Sequence, residues 1–143
     1  MRSLFFIFHG HGDESPCYTS VNDADTTLST LKDCMAAFVR ERDWEQFHAP
    51  KNLAMSIAIE AAELMERFQW LTPEQSCVVT PEDKGKIQEE IADVVIYALY
   101  LCNRLSIDLT GAILAKTERN AARYPAHLVR GRADHTPSEG GPP

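Results

Sequence analysis

Apolar residues recur at helical spacing over four stretches of this chain, and two of those stretches carry an unusual stripe of acid. Leu28, Leu31, Met35, Phe38 and Val39 mark one face of a first helix. It begins near Asp23 or Asp25, either of which can cap it, and runs to about Arg42. After a short connection from Asp43 to Ala49, Pro50 suits the first turn of a second helix that runs to about Trp70. Leu71 to Val79 reads as a loop. Thr80-Pro81-Glu82-Asp83 then opens a third helix with a hydroxyl cap, a proline in the first position and acids in the first turn. That helix runs to about Leu105; Ser106 or Asp108 caps a fourth, which Tyr124-Pro125 stops after Arg123. No convincing strand-period segment occurs outside the first few residues, and no repeat has solenoid spacing. The pattern predicts an all-α fold with four main helices in a bundle-like arrangement.

The second and third helices are apolar on nearly every side. Glu60 and Glu63 interrupt Leu53 to Phe68; Glu90 and Asp93 interrupt Ile87 to Leu101. Residues three apart share a helix face, so each helix points two carboxylates one way out of an apolar cylinder. A helix apolar all round is normally buried, and buried carboxylates are costly unless paired, protonated or bound to metal. A lone Glu-x-x-Glu is ordinarily a solvated face, and Glu66 and Glu89, beside Arg67 and Gln88, read that way. Glu60, Glu63, Glu90 and Asp93 together read as a site for a divalent cation. The same all-round apolarity is excessive for a lone bundle of this size, which predicts that further copies of the chain cover part of it.

Length and charge narrow the classes. A chain of 143 residues with 44% hydrophobic and 24% charged residues makes one ordinary globular domain. A net charge of −7 argues against a nucleic-acid polymer as partner but leaves a free nucleotide open. Cys17, Cys34, Cys77 and Cys102 are scattered without metal-ligand spacing, which indicates neither zinc nor a disulfide framework and fits a cytoplasmic protein. Cys34 and Cys102 read as small core side chains. No run has the length of a membrane span, and the apolar run Leu4 to Phe8 is short for a signal peptide. Residues 1–22 read as an appendage of unknown role, 23–130 as the domain, and 131–143, rich in Gly, Pro and Ser, as a disordered tail.

Complementary charge comes from the fourth helix, where Lys116, Asn120 and Arg123 share a face that suits a phosphate chain, although a solvated face has the same spacing. His48, Lys51 and Asn52 open the second helix, whose N-terminal N–H groups favour anions. Trp44, Phe47 and Trp70 flank the acidic helix and offer rings for a base, though each is more ordinarily a core or interface residue.

The spacing Glu60-x-x-Glu63, a long gap, then Glu90-x-x-Asp93 resembles the signature of the all-α nucleoside triphosphate pyrophosphohydrolases, the MazG-like superfamily. Several further stretches are similar to its dCTP pyrophosphatase branch: Glu41 to His48, Lys51-Asn52-Leu53, Phe68-Gln69-Trp70, Asp93 to Tyr97, and Lys116 through Leu128. The resemblance covers residues 25 to 130; the segment up to about Ser20 matches nothing in it. It implies cleavage of a deoxynucleoside triphosphate, dCTP or modified dCTP, to monophosphate and pyrophosphate, a role in cleansing the nucleotide pool, and a homotetramer with sites between subunits. It also implies Mg²⁺ held by Glu60, Glu63, Glu90 and Asp93. Lys116, Asn120, Arg123 and Tyr124 are then expected at the phosphates, and Trp44, His48 and Trp70 around base and sugar. Within that scheme Glu63 handles the attacking water, and Lys116 and Arg123 stabilise charge on the leaving pyrophosphate.

Rival readings differ in what they require. The same chemistry with another base preference (dUTP, dATP or a broad range) needs no change in these residues. A di-iron bundle needs two Glu-x-x-His motifs, and Glu45-x-x-His48 stands alone before Pro50. A non-catalytic nucleotide-binding oligomer does not need four buried acids.

Overall fold

The computed structural model describes residues 21–131. All regular structure among them is helical: α1 (Leu28–Glu41), a 3₁₀ turn (Glu45–Phe47), α2 (Pro50–Glu66), α3 (Pro73–Ser76), α4 (Pro81–Arg104), α5 (Leu109–Arg123) and α6 (Ala126–Val129). The all-α expectation and its four main helices hold. Most of the segments read as appendage and tail lie outside the described residues.

Local chemistry sets the helix starts. Thr80 Oγ1 accepts from the Asp83 N–H and Asp108 caps α5 through the Gly111 N–H, both as expected. For α1 the cap is Thr27, which accepts from the Thr30 N–H, rather than Asp23 or Asp25. Asn22 and Asp25 instead close a turn of their own, with Asn22 Oδ1 accepting from the Ala24 N–H. α2 ends at Glu66, short of Trp70, because the next residues tighten into turns: the Arg67 and Phe68 N–H groups bond back only three residues. The expected loop holds α3, opened by a reciprocal Thr72–Gln75 capping box.

Two helices end in Schellman motifs without glycine. After α4, Ile107 N–H reaches Cys102 O at 2.9 Å and Ser106 N–H reaches Asn103 O at 3.2 Å, with Ser106 at φ 52°. Ser106 therefore closes α4 and does not open α5. After α1, Trp44 N–H reaches Val39 O and Asp43 N–H reaches Arg40 O, with Asp43 at φ 52°. The Trp44 ring then meets Phe38 edge-on at 5.9 Å, the apolar contact that accompanies such an end.

α4 is the axis of the packing, with α2 along much of its length and α1 against it. Asn103 Nδ2 donates to the Lys32 carbonyl at 2.7 Å, and Lys32 Nζ donates to the Ile107 carbonyl at 2.9 Å, which ties α1 to the end of α4. Among the described residues the buried apolar ones are Val39, Leu53, Leu99 and Cys102. Cys34 is half-buried and disulfide-bonded, which corrects the expectation that the cysteines form no disulfide; Cys77 is an exposed thiol and Cys102, as expected, a buried one.

Large apolar side chains face outward. Met55, Ile59 and Met65 on α2, Ile91 and Val95 on α4, and Ile113 and Leu114 on α5 are all exposed. On α2 these residues lie opposite the stripe of Leu53, Ser56, Ile57, Glu60, Glu63 and Leu64, which is less exposed. The helix is thus inverted, with acids toward α4 and methionine and isoleucine toward water. α5 buries no residue and, among the described residues, packs extensively on no other element.

Candidate metal centre

α2 and α4 bring carboxylates from both helices to one point. Glu60, Glu90 and Asp93 each offer an oxygen, and these oxygens all lie within 4.8 Å of one another. Three anionic groups at such range repel strongly in a half-buried setting. Burial, then the charges of Asp93, Glu63 and Glu90, pushes the Glu60 carboxyl above its ordinary value. Burial, then Glu90, Glu63 and Glu89, pushes Asp93 up as well. Glu60 Oε2 is sequestered from solvent and has no hydrogen-bond partner. A buried unpartnered carboxylate oxygen is an uncompensated cost in the bare protein. A hard divalent cation, which takes oxygen ligands, fits this donor set.

Glu63 is half-buried on the same stripe and contributes to both upward shifts, but it is outside the group of three converging oxygens. Glu90 is the most enclosed of the acids, 9% exposed, and its Oε1 accepts from Arg67 Nη2 at 3.0 Å. Arg67 caps the C-terminal end of α2. On sequence it looked like part of a solvated patch with Glu66. Its signal was its place one turn after Glu63 and two after Glu60 on the acidic stripe. Tyr97, one turn after Asp93, was likewise missed as a site residue. Burial and then Glu60 push its phenol up, a Ser56 hydrogen bond acts the other way, and Asp93 adds to the rise.

Of the residues expected around the nucleoside, Trp44, His48, Lys51 and Asn52 lie at the other end of the α2–α4 pair, while Trp70 follows the C-terminal end of α2. His48 stacks at a tilt on Tyr100, ring centres 4.8 Å apart, and both border a cleft of about 250 Å³. Glu45, Asn103 and Arg104 complete its polar wall. Burial and then the Arg104 charge hold the His48 imidazole below its ordinary value, so the ring is neutral near pH 7. Trp44 packs edge-on against Phe38, and neither ring lines the cleft. Asn52 Nδ2 donates to the Phe47 carbonyl at 3.1 Å and so braces the 3₁₀ turn; Lys51 is exposed beside it. Trp70 is 86% exposed. Lys116, Asn120 and Arg123 are exposed on α5, and Arg123 lies 5.3 Å from the centre of the half-buried Tyr124 ring. Since α5 packs extensively on neither α2 nor α4, a single chain does not pack this cationic face onto the acids.

No helix among the described residues is long and apolar enough to cross a membrane. The chain is similar to known proteins across its helical domain. It is 41% identical over 112 residues to bovine (Bos taurus) dCTP pyrophosphatase 1, covering 77% of this chain and 66% of that protein. The human (Homo sapiens) dCTP pyrophosphatase 1 is 43% identical over 108 residues, covering 74% and 64%. The chain thus spans just under two thirds of the length of these relatives. A crystal structure of a pyrophosphatase from Archaeoglobus fulgidus superposes with a TM-score of 0.66 at 40% identity, covering 74% of this chain and 99% of that one. A sequence model of the MazG-like family matches residues 55–132, which include all four acids and the α5 cations. With that match spanning more than half of its length, this chain belongs to the MazG-like family.

Proposed function

We propose that this chain is the subunit of a Mg²⁺-dependent pyrophosphohydrolase that cuts deoxynucleoside triphosphates, dCTP and modified dCTP foremost, into monophosphate and pyrophosphate. The observation that carries this reading is the buried, unpartnered Glu60 Oε2 facing Glu90 and Asp93. The kinship with dCTP pyrophosphatase 1 and the archaeal pyrophosphatase favours the same reaction. The role in the cell is the removal of unwanted deoxynucleotides.

Glu60, Glu90 and Asp93 hold the cation, with Glu63 close by. A Mg²⁺ held there would supply positive charge to offset that of the phosphate oxygens. Glu63, outside the converging oxygens yet near them, is the carboxylate left to orient and deprotonate water. Lys116 and Arg123 stabilise charge on the departing pyrophosphate, and Asn120 and Tyr124 orient the phosphate chain. Because α5 does not pack extensively on α2 or α4 among the described residues, we assign these cations to the site of a second copy. The outward-facing Met55, Ile59, Met65, Ile91 and Val95 supply apolar surface for a homotetramer. Trp44, His48, Lys51, Asn52 and Trp70 bind the nucleoside, with neutral His48 beside the cleft that takes the base.

One panel tests the reading. The protein is incubated with Mg²⁺ and each common dNTP, 5-methyl-dCTP or CTP, with and without EDTA, and the products are resolved. EDTA-sensitive monophosphate and pyrophosphate, fastest from dCTP, is the expected result. The same products led by another base would keep the chemistry and replace the pocket assignment. Binding without turnover would sink the enzyme.

A further inference from the structure

Among the described residues, one cation touches the acidic cluster. Arg67 Nη2 donates to Glu90 Oε1 at 3.0 Å, while neither Glu60 nor Asp93 has an ion pair. The two side chains differ in exposure, 37% for Arg67 and 11% for Glu90. The guanidinium therefore reaches from the solvent side down onto the most enclosed acid. Its backbone is fixed as the cap of α2, where the helix's free carbonyls favour a cation. Glu90 itself is carried by the middle of the long helix α4. The contact thus spans the two helices that form the centre and pins one carboxylate against rotation.

We propose that Arg67 is a positioning residue of the metal centre: it holds one oxygen of Glu90 so that the other is presented to the divalent cation. This rests on the metal-binding reading above.

Two effects of such a residue have opposite sign. Its positive charge repels a bound cation, so charge alone predicts that removing Arg67 tightens metal binding. Its hydrogen bond orients a ligand, so positioning predicts that removing it weakens binding. Solvent and salt screen the charge of a partly exposed guanidinium. Orientation is not screened, and loss of a residue that orients a metal ligand typically costs about 10–100-fold in affinity. Positioning therefore prevails.

The test is a Mn²⁺ titration of the full chain without nucleotide, followed by calorimetry and by the electron paramagnetic resonance of free Mn²⁺. Wild type is compared with Arg67→Met and Arg67→Lys. Arg67→Met is expected to bind Mn²⁺ about 10–100-fold more weakly, with Arg67→Lys between the two. Turnover of dCTP at saturating metal should then fall in kcat while KM holds. Equal or tighter binding by Arg67→Met would overturn the proposal and reduce Arg67 to a charge offset. If Arg67→Met fails to fold by circular dichroism, Arg67→Lys decides: weaker binding than wild type supports positioning, and equal binding overturns it. A wild type that binds no Mn²⁺ would overturn both this inference and the metal reading, whereas normal wild-type binding with an indifferent Arg67→Met overturns this inference alone.

Discussion

The two halves of α4 follow opposite rules. Toward its C-terminus, where α1 is tied to it, Leu99 and Cys102 are buried at 2% and 6% exposure. Toward its N-terminus the same stripe continues as Ile91 and Val95, and these are 47% and 44% exposed. There the enclosed residue is Glu90, a carboxylate. One half is built as a soluble domain is built; the other turns its acids inward and its aliphatic side chains outward. The C-terminal half buries its aliphatic residues within the chain, while the N-terminal half leaves Glu60 Oε2 unpartnered among acids and Ile91 and Val95 exposed.

The largest expected effect breaks the acidic half without touching the other. Glu63→Gln should lower turnover by about 10²–10⁴-fold and leave the helical circular dichroism unchanged. A variant with wild-type turnover would remove Glu63 from the reaction. Next in size, Val95→Glu places a charge on the outward stripe. Its expected outcome is a smaller assembly by light scattering, with the monomer's helix content retained. An unchanged mass would show that this stripe lies outside any interface.

A third prediction concerns pH in EDTA. Glu60 and Asp93 have folded pKa values raised above their ordinary 4.5 and 3.8. Between those ordinary values and the raised ones the folded state binds more protons than the unfolded one, so these groups lower stability as pH rises through that window. His48, held below its ordinary 6.5, acts oppositely: stability falls as pH drops below 6.5. Glu60→Gln should therefore raise Tm at neutral pH and flatten the acid-side trend, and Mg²⁺ should raise the wild-type Tm at neutral pH. A Tm indifferent to millimolar Mg²⁺ would contradict the metal site. The smallest effect belongs to the well-built half. Ser106 occupies a left-handed backbone conformation, so Ser106→Gly should stabilise the protein by about 1 kcal/mol, read by urea unfolding.

Legibility in the sequence follows the same division. Pro50, Thr80-Pro81 and Asp108 mark helix starts because a cap is a local event, written in two or three residues. The start of α1 was misplaced because Asp23, Asp25 and Thr27 are all competent caps, and only the folded chain shows which side chain meets the N–H of Thr30. The convergence of Glu60, Glu90 and Asp93 was legible because apolar helices do not carry acid without a reason. Two things were not. The direction of α5 depends on the Ser106 turn and the Lys32 clasp rather than on its own periodicity. Arg67 has the composition of a surface residue, and its partner is 23 positions away.

The inverted amphipathicity of α2 also bears on how the chain reaches its native state. α2 and α4 are joined by residues 67–80 and could close as a helical hairpin early, since their separation along the chain is short. Closing it drives like charges together in the same step that buries Leu53 and partly buries Ile57 and Leu64, so repulsion works against apolar burial. The clasp of α1 on α4 carries no such opposition, although its residues are farther apart in sequence. Repulsion among Glu60, Glu90 and Asp93 thus opposes the very pairing that loop length favours.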